Sequence, residues 1–476
     1  MYGCEPERWI NNLQIHKFEL FGQHVLLDIN SGTVHLIDKM TSDALDYYDG
    51  HNAEETVNAL TGRYDEAETR ELLGELDDLI KNGLLFAPEL SVPETLKAEP
   101  VVKSICLHVA HDCNLRCKYC FAETGDFGGG RSLMSREVGE KAIELLIEGS
   151  KNRRTLEVDF FGGEPLVNKP VTWDLIRYAR RREKETGKNF KLTLTTNGML
   201  LDDEAIAFLN EQHVMLVLSL DGRKEVHDRM RPDAGKHGSY DRVVAAFRKL
   251  IASRHDKNYF LRGTYTRWNL DFAADVLDLA SIGSQVSVEP VVSTSGDYAL
   301  REEDLPVLFA EYEKLAKLYL AARHSDKPFE FFHFNLDLNH GPCVAKRLAG
   351  CGAGHEYFAV TPEGDLYPCH QFVGREDYKL GTVFEGVTNK ELPGKFRAAH
   401  VLNKPTCRTC WARYYCSGGC HANAELFTGD ILKPYKLGCE LQKKRLECAI
   451  WIQALLLAES YQWDEEKKFH NFDYRE

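Results

Sequence analysis

The residues best placed to do chemistry are cysteines, and their distribution is very uneven. Cys113, Cys117 and Cys120 form one knot, Cys113-Asn-Leu-Arg-Cys117-Lys-Tyr-Cys120. Cys343, Cys351, Cys369, Cys407, Cys410, Cys416, Cys420 and Cys439 form a second group, with no cysteine between Cys120 and Cys343. Three thiolates this close can face one cluster from a single loop. They would leave one iron of a [4Fe–4S] cluster without a protein ligand, open to a small molecule. Zinc is the competing reading: His111 could complete a four-ligand site at the knot, and a ribbon could be built on Cys407/Cys410 and Cys416/Cys420. A ribbon leaves Cys351 and Cys369 unexplained. Cys4, Cys106 and Cys448 remain over, and Cys106, inside an apolar stretch, reads as a buried thiol.

The setting suits metal ligation. The start, MYGCEPERW, lacks the charged-then-apolar layout of a secretory signal. No apolar run reaches membrane-spanning length. The expected compartment is therefore the cytoplasm, where thiols stay reduced and disulfides explain clustered cysteines poorly. A net charge of −14 lacks the basic face that nucleic acids or anionic lipid surfaces require. At 476 residues, 43% of them hydrophobic, the chain is long enough for two or three domains with proper cores.

Three regions must position these cysteines. In the first, residues 1–95, apolar and polar residues alternate from His16 to Lys39 with breaks at Gly22 and Asn30-Ser31-Gly32, which predicts three short strands. Helical patterning follows over Glu54–Tyr64 and Glu66–Asn82, giving a small winged-helix-like unit. Pro88, Pro93 and Pro100 mark Ala87–Pro100 as a linker. The second region, 101–325, alternates strands (Ile105–Ala110, Leu156–Phe161, Phe190–Thr195, Val214–Leu220, Tyr259–Tyr265, Gln285–Glu289) with helices such as Ser135–Gly149 and Val171–Thr186. Such units imply an α/β fold with a parallel sheet, and six are too few for a complete eight-fold barrel. The third region, 330–476, rich in Cys, Gly and Tyr, reads as a fold held by metal and closed by a helix near Gln442–Gln462.

The CxxxCxxC spacing, with Tyr119 before the last cysteine, is similar to the radical SAM superfamily, whose cluster binds S-adenosylmethionine (SAM). Phe160-Phe161-Gly162-Gly163-Glu164-Pro165 resembles the family's GGEP motif. Thr196-Asn197-Gly198 ends the next strand, and Ser219-Leu220-Asp221-Gly222 the one after. The resemblance implies that Gly162, Gly163, Glu164, Pro165, Asn197, Tyr119, Ser219 and Arg231 line the SAM site, the last two on its carboxylate, with Arg229 as the alternative to Arg231. It implies a partial (β/α)6 barrel, and reductive cleavage of SAM to a radical that abstracts a hydrogen atom from substrate. The second group resembles the SPASM extension: Cys351, twelve residues, Gly364, four residues, Cys369; then Cys407-x2-Cys410-x5-Cys416-x3-Cys420; then Cys439. That extension implies two auxiliary [4Fe–4S] clusters, three in all. By resemblance the first takes Cys343, Cys351, Cys369 and Cys420, and the second Cys407, Cys410, Cys416 and Cys439. Without Cys343 the first would have an open iron.

The first region resembles PqqD-like domains, which bind the leader of a ribosomally made peptide. The segments AHDCNLRCKYCFAETGDFGG, VDFFGGEPLVN and YPCHQFVGREDYKLG resemble the maturases of SCIFF peptides. That likeness implies a Cys-rich precursor with a leader as partner, a flavodoxin- or ferredoxin-type electron donor, and thioethers from cysteine sulfur to a residue α-carbon. Anaerobic sulfatase maturases are the nearest alternative. They place an Asp after the cysteine matching Cys369, where this chain has His370, and they lack the N-terminal region. A non-catalytic iron–sulfur or zinc-stabilised peptide-binding protein is the reading from another class. No residue stands out as the base for a substrate thiol.

Overall fold

The computed structural model describes residues 14–89, 100–338 and 348–470. Cys4, Cys343 and most of the proline-marked linker lie outside the described residues. The first sheet is antiparallel, in the order β1 (Ile15–Leu20), β2 (Gln23–Asp28), β3 (Val34–Ile37). Phe21 and Gly22, both at positive φ, turn the chain between β1 and β2. Three helices follow: α1 (Lys39–Ala44), α2 (Ala53–Leu60) and α3 (Glu66–Lys81). Asp38 and Asp65 cap α1 and α3 by accepting from backbone N–H groups of the first turn. Leu26, Leu45, Val57, Leu73 and Leu76 form this unit's own core.

The central body is one large sheet. Six strands run parallel in chain order: β4 (Ser104–His111), β6 (Thr155–Gly162), β7 (Asn189–Thr196), β8 (Met215–Ser219), β9 (Tyr259–Tyr265) and β10 (Gln285–Pro290). The short β5 (Ser132–Leu133) pairs with the end of β4. Helices connect the strands: α4 (Arg136–Gly149), α5 (Lys169–Thr186), α6 (Asp203–Glu211), α7 (Lys224–Met230), α8 (Tyr240–Ser253) and α9 (Phe272–Ile282). Ser135 caps α4 and Asp202 caps α6. Alternate strand residues such as Val158, Phe160, Leu192, Leu194 and Leu261 are fully buried, in one core with Leu146 of α4 and Leu175 of α5. The intervening residues of β6, β7 and β9 are less buried.

The sheet does not stop where the sequence suggests a domain boundary. After α10 (Leu305–Arg323), β11 (Glu330–Phe331) adds in parallel to β10. On the opposite edge β12 (Tyr357–Val360) pairs in parallel with β4, and β13 (Asp365–Tyr367), β14 (Gly381–Thr382) and β15 (Gly386–Val387) continue it antiparallel. The expected break between 325 and 330 is thus no break in hydrogen bonding, because two strands that follow it, β11 and β12, cap the two open edges of the sheet that precedes it. Short helices α11 (Glu391–Ala398), α12 (Pro405–Arg408), α13 (Arg413–Cys416) and α14 (His421–Thr428) follow. The closing helix α15 spans Lys436–His470, longer at both ends than expected, so Cys439 falls in its first turn.

The N-terminal sheet is seated directly on the cysteine-rich region. His16 stacks on Trp411 with ring centroids 3.8 Å apart and planes at 3°. Its Nε2 lies 3.1 Å from Glu447 Oε1. Arg413 donates to the buried Asn30 side chain at 2.8 Å. Ile29 shares an apolar cluster with Leu348, Val401, Cys407 and Tyr414.

Candidate metal centre

β4 ends at His111, and the cysteine knot begins two residues later. Its loop is braced as a short extra strand against the segment after α7. Arg116 and Lys118 N–H donate to Pro232 O and Met230 O at 2.8 and 2.9 Å. A turn from Cys117 O to Cys120 N, 3.2 Å, brings the last two thiols round. The three thiols sense one another electrostatically. Burial pushes Cys113 to about 11 and Cys117 to about 12, and at Cys117 the nearby Arg231 cation opposes the rise. Grouped thiols that would be protonated on their own need a cationic partner to ionise, which an iron–sulfur core supplies.

The other residues singled out from the sequence gather around this loop from strand ends. Gly162 (φ +128) and Gly163 close β6 against it, and a Cβ on either would sit 2.3 Å from a carbonyl oxygen, of Ala110 or Asp112. Glu164 is 1% exposed and accepts from Leu166 N, Thr196 Oγ1 and Asn197 N at 3.1, 2.8 and 2.7 Å. Burial holds its carboxyl up at about 7, against the pull of those bonds. Pro165 opens the short turn Pro165–Asn168 that Glu164 caps. Asn197 Nδ2 donates to Asn114 Oδ1 at 2.8 Å and lies 3.6 Å from Cys113 Sγ.

Ser219 ends β8. Arg231 Nε lies 3.0 Å from Asp221 Oδ2, an oxygen that also accepts from Tyr119 OH at 2.6 Å. The guanidinium stands 5.4 Å from the Tyr119 ring centre. Arg229 is turned elsewhere: it stacks on Trp268 at 3.8 Å, in a pocket of about 300 Å³ with no cysteine in its lining. Tyr119 and Arg231, both half-buried, thus form one unit with the buried Asp221 beside the knot.

The seven described cysteines of the second group lie near one another, and Cys416, Cys420 and Cys439 share the lining of a cavity of about 470 Å³. Burial first, then the charges of Cys420 and Cys351, push Cys369 to about 12, and burial followed by Cys351 raises Cys420. Cys407, Cys410, Cys416 and Cys439 line one cavity of about 540 Å³. Burial, then its three companions, pushes Cys439 to about 12. Four different elements deliver four of these seven: α12 carries Cys407, α13 ends at Cys416, Cys420 caps α14 and Cys439 sits in α15. Ser417, Gly418 and Gly419 all take positive φ (60°, 82° and 72°), which turns the chain sharply between Cys416 and Cys420. Among the described residues, no three His, Cys, Asp or Glu side chains converge on a point one ion could fill. Cys407, Cys410, Cys416 and Cys439 instead border a volume of a size that suits a multi-iron cluster.

Sequence alone singles out Phe161 and His370 but not the aromatic wall they join, and it misses Phe121, Phe127 and His108. Phe121 and Phe127 of the knot loop, Phe161 of β6, His108 of β4 and His370 build one aromatic wall, with centroid separations from 4.5 to 6.4 Å. Burial depresses His370 to about 4. Phe161 and His108 lie at alternate positions of their strands, so period-two counting could have flagged them. Cys106 is buried as expected, yet its surroundings are not purely apolar: Tyr357 bonds to it and the charge of Asp159 reaches it.

Comparison with known proteins agrees with this geometry. The radical SAM superfamily pattern matches residues 107–266, and the SPASM iron–sulfur cluster-binding pattern matches residues 351–411. A cysteine-type anaerobic sulfatase-maturating enzyme of Clostridium novyi is 25% identical, covering 66% of this chain and 86% of that protein. The antilisterial bacteriocin subtilosin biosynthesis protein AlbA of Bacillus subtilis is 26% identical over 66% of each. SuiB of Streptococcus suis, solved with S-adenosylmethionine bound, shares the fold at a TM-score of 0.52 and 16% identity, over 88% of this chain and 97% of that one.

Proposed function

Since this chain is a radical SAM enzyme with a SPASM iron–sulfur domain, related to maturases of peptides and proteins, we propose that it joins a cysteine sulfur to a residue α-carbon in a Cys-rich precursor peptide. The observation that carries the cofactor part is the grouping of the cysteines: three at the barrel mouth, three that act on one another electrostatically, four around one cavity. We assign three [4Fe–4S] clusters to them, with Cys343 as the fourth ligand of the set Cys351, Cys369 and Cys420. Bound at the open iron of the first cluster, SAM supplies a 5′-deoxyadenosyl radical able to take a hydrogen atom from a peptide.

The chain's own residues prepare that site. Gly162, Gly163 and Pro165 bring backbone close to the knot, and Glu164 locks the β6 and β7 ends together. Asn197 holds the knot through Asn114. Asp221 and Tyr119 fix Arg231, whose forked donors suit the SAM carboxylate, and Ser219, at the end of β8, is assigned to the same carboxylate. The aromatic wall of Phe121, Phe161 and His370 offers an apolar surface near the knot. The N-terminal sheet takes the precursor's leader by strand addition at an exposed edge, and a flavodoxin- or ferredoxin-type donor supplies electrons.

Metal analysis and labelling test this. Anaerobically reconstituted protein should hold about twelve irons per chain, and replacing Cys113, Cys117 and Cys120 with Ala should remove about a third. Zinc as the main metal would refute the cluster assignment. The product should be lighter than the precursor by a pair of hydrogens, and deuterium at the acceptor α-carbon should appear in 5′-deoxyadenosine. Label arriving from a cysteine β-carbon would instead establish formylglycine formation, the chemistry of sulfatase maturases. His370 in place of their Asp, and the added N-terminal sheet, favour the thioether.

A further inference from the structure

Lys404 is 0% exposed, yet among the described residues neither of its side-chain hydrogen-bond partners is a carboxylate. Among the described residues, its Nζ donates to Gly418 O at 2.8 Å and lies 3.4 Å from His421 Nδ1. Neither partner is an anion. An ammonium group buried without a counter-charge is costly, so a lysine in this position implies an anion close by.

The groups around it are the C-terminal cysteines. Lys404 begins the turn carrying Cys407, whose N–H donates to Lys404 O at 3.0 Å. Gly418 lies midway through the Cys416–Cys420 turn, and a Cβ there would come within 3.4 Å of Nζ. Burial pulls the Lys404 ammonium below its ordinary range, and the charges of Cys407, Cys416, Cys420 and Cys439 all reach it and oppose that pull. Under the cluster assignment Cys420 belongs to one C-terminal set and the other three to the second, so the ammonium is within reach of both.

Building on the cluster assignment above, we infer that Lys404 is the resident counter-cation of the auxiliary clusters and raises their reduction potentials. A [4Fe–4S] centre with four thiolates is an anion, and one-electron reduction makes it more negative. A fixed positive charge held out of water therefore favours the reduced form, because net charge and solvent exposure set cluster potentials. That makes the auxiliary clusters better acceptors for the electron released when a carbon–sulfur bond closes. Lys404 touches no substrate; it is a positioning charge.

The test is an EPR-monitored redox titration with dithionite and mediators. The parent is the Cys113→Ala, Cys117→Ala, Cys120→Ala protein, so that only the auxiliary clusters give signals. In that background Lys404→Met should lower the reduced-to-oxidised ratio of at least one auxiliary cluster about tenfold at a fixed potential, equivalent to about 59 mV for one electron. Lys404→Arg should keep the parent ratio. Loss of iron in Lys404→Met but not in Lys404→Arg would equally support a counter-ion. An unchanged ratio in a fully loaded Lys404→Met would overturn the inference, as would iron loss in both variants, which marks packing rather than charge. A parent without auxiliary-cluster signals would fail at the cluster assignment itself, and the inference would fall with it.

Discussion

At the scale of single residues, Asp221 decides what Arg231 can do. The carboxylate is fully buried, and its Oδ1 accepts from Thr264 N at 3.0 Å while Oδ2 serves Tyr119 and Arg231. Arg231→Met would leave Asp221 charged, buried and without its cation, at a cost of about 3–5 kcal/mol. The melting temperature of the apoprotein should fall and SAM binding should be lost. Adding Asp221→Asn, which removes the stranded charge, keeps one acceptor oxygen for Thr264 N–H and leaves an amide N–H that can donate to the Tyr119 oxygen, should recover most of the stability and none of the SAM binding. If binding returns with stability, Arg231 only holds the fold. Calorimetry and equilibrium dialysis with SAM separate these outcomes.

At the scale of elements, the knot is only as well shaped as the strand end beneath it. The β6 turn meets the knot backbone to backbone, so a side chain at Gly163 has no flexible neighbour to displace. Gly163→Ala should push the two loops apart and spoil the three-cysteine site while leaving the auxiliary clusters loaded. The expected readout is a loss of about four irons of about twelve, with loss of the SAM-sensitive EPR signal. Full iron and an unchanged signal would mean that the close approach is not needed. The strand and helix periodicities behind this arrangement are readable locally: β9 falls on the expected Tyr259–Tyr265, and Ser135 caps α4 where the pattern starts. The ends of α15 were not readable, since its first turn is defined by the cysteine it delivers to a distant partner.

For the whole molecule, the N-terminal unit and the cysteine-rich region meet across contacts that a proline-marked linker would not suggest. Asn30–Arg413, His16–Trp411 and the Ile29 cluster lie against the segment bearing Cys407, Cys410 and Cys416. Deleting residues 1–98 should therefore do more than weaken leader binding. SAM cleavage should survive, because the barrel mouth is untouched. Peptide modification should fall sharply, and about a third of the iron should be lost as the second auxiliary set is uncovered. Iron assay and precursor turnover on the truncated protein check both. Full modification without the unit would exclude leader binding. Full iron would show that the seat is not needed to hold the cluster. No helix among the described residues is long and apolar enough to cross a membrane.

What the amino-acid order determined alone is whatever depends on neighbours along the chain: the strand and helix periods, the caps, the tight glycine turns and the cysteine spacings that separate the knot from the later group. What only the tertiary structure decided is which distant groups meet. Tyr119 reaches Asp221 across 102 residues, and Arg413 reaches Asn30 across 383. Arg231 and Arg229 are equivalent by spacing, and only burial beside Asp221 against stacking on Trp268 tells them apart. Lys404 carries no local signal, for a lysine before a proline reads as surface. Its meaning comes from the water it loses when the Cys416–Cys420 turn closes over it. Desolvation is a property of the folded interior, and no window of sequence contains it.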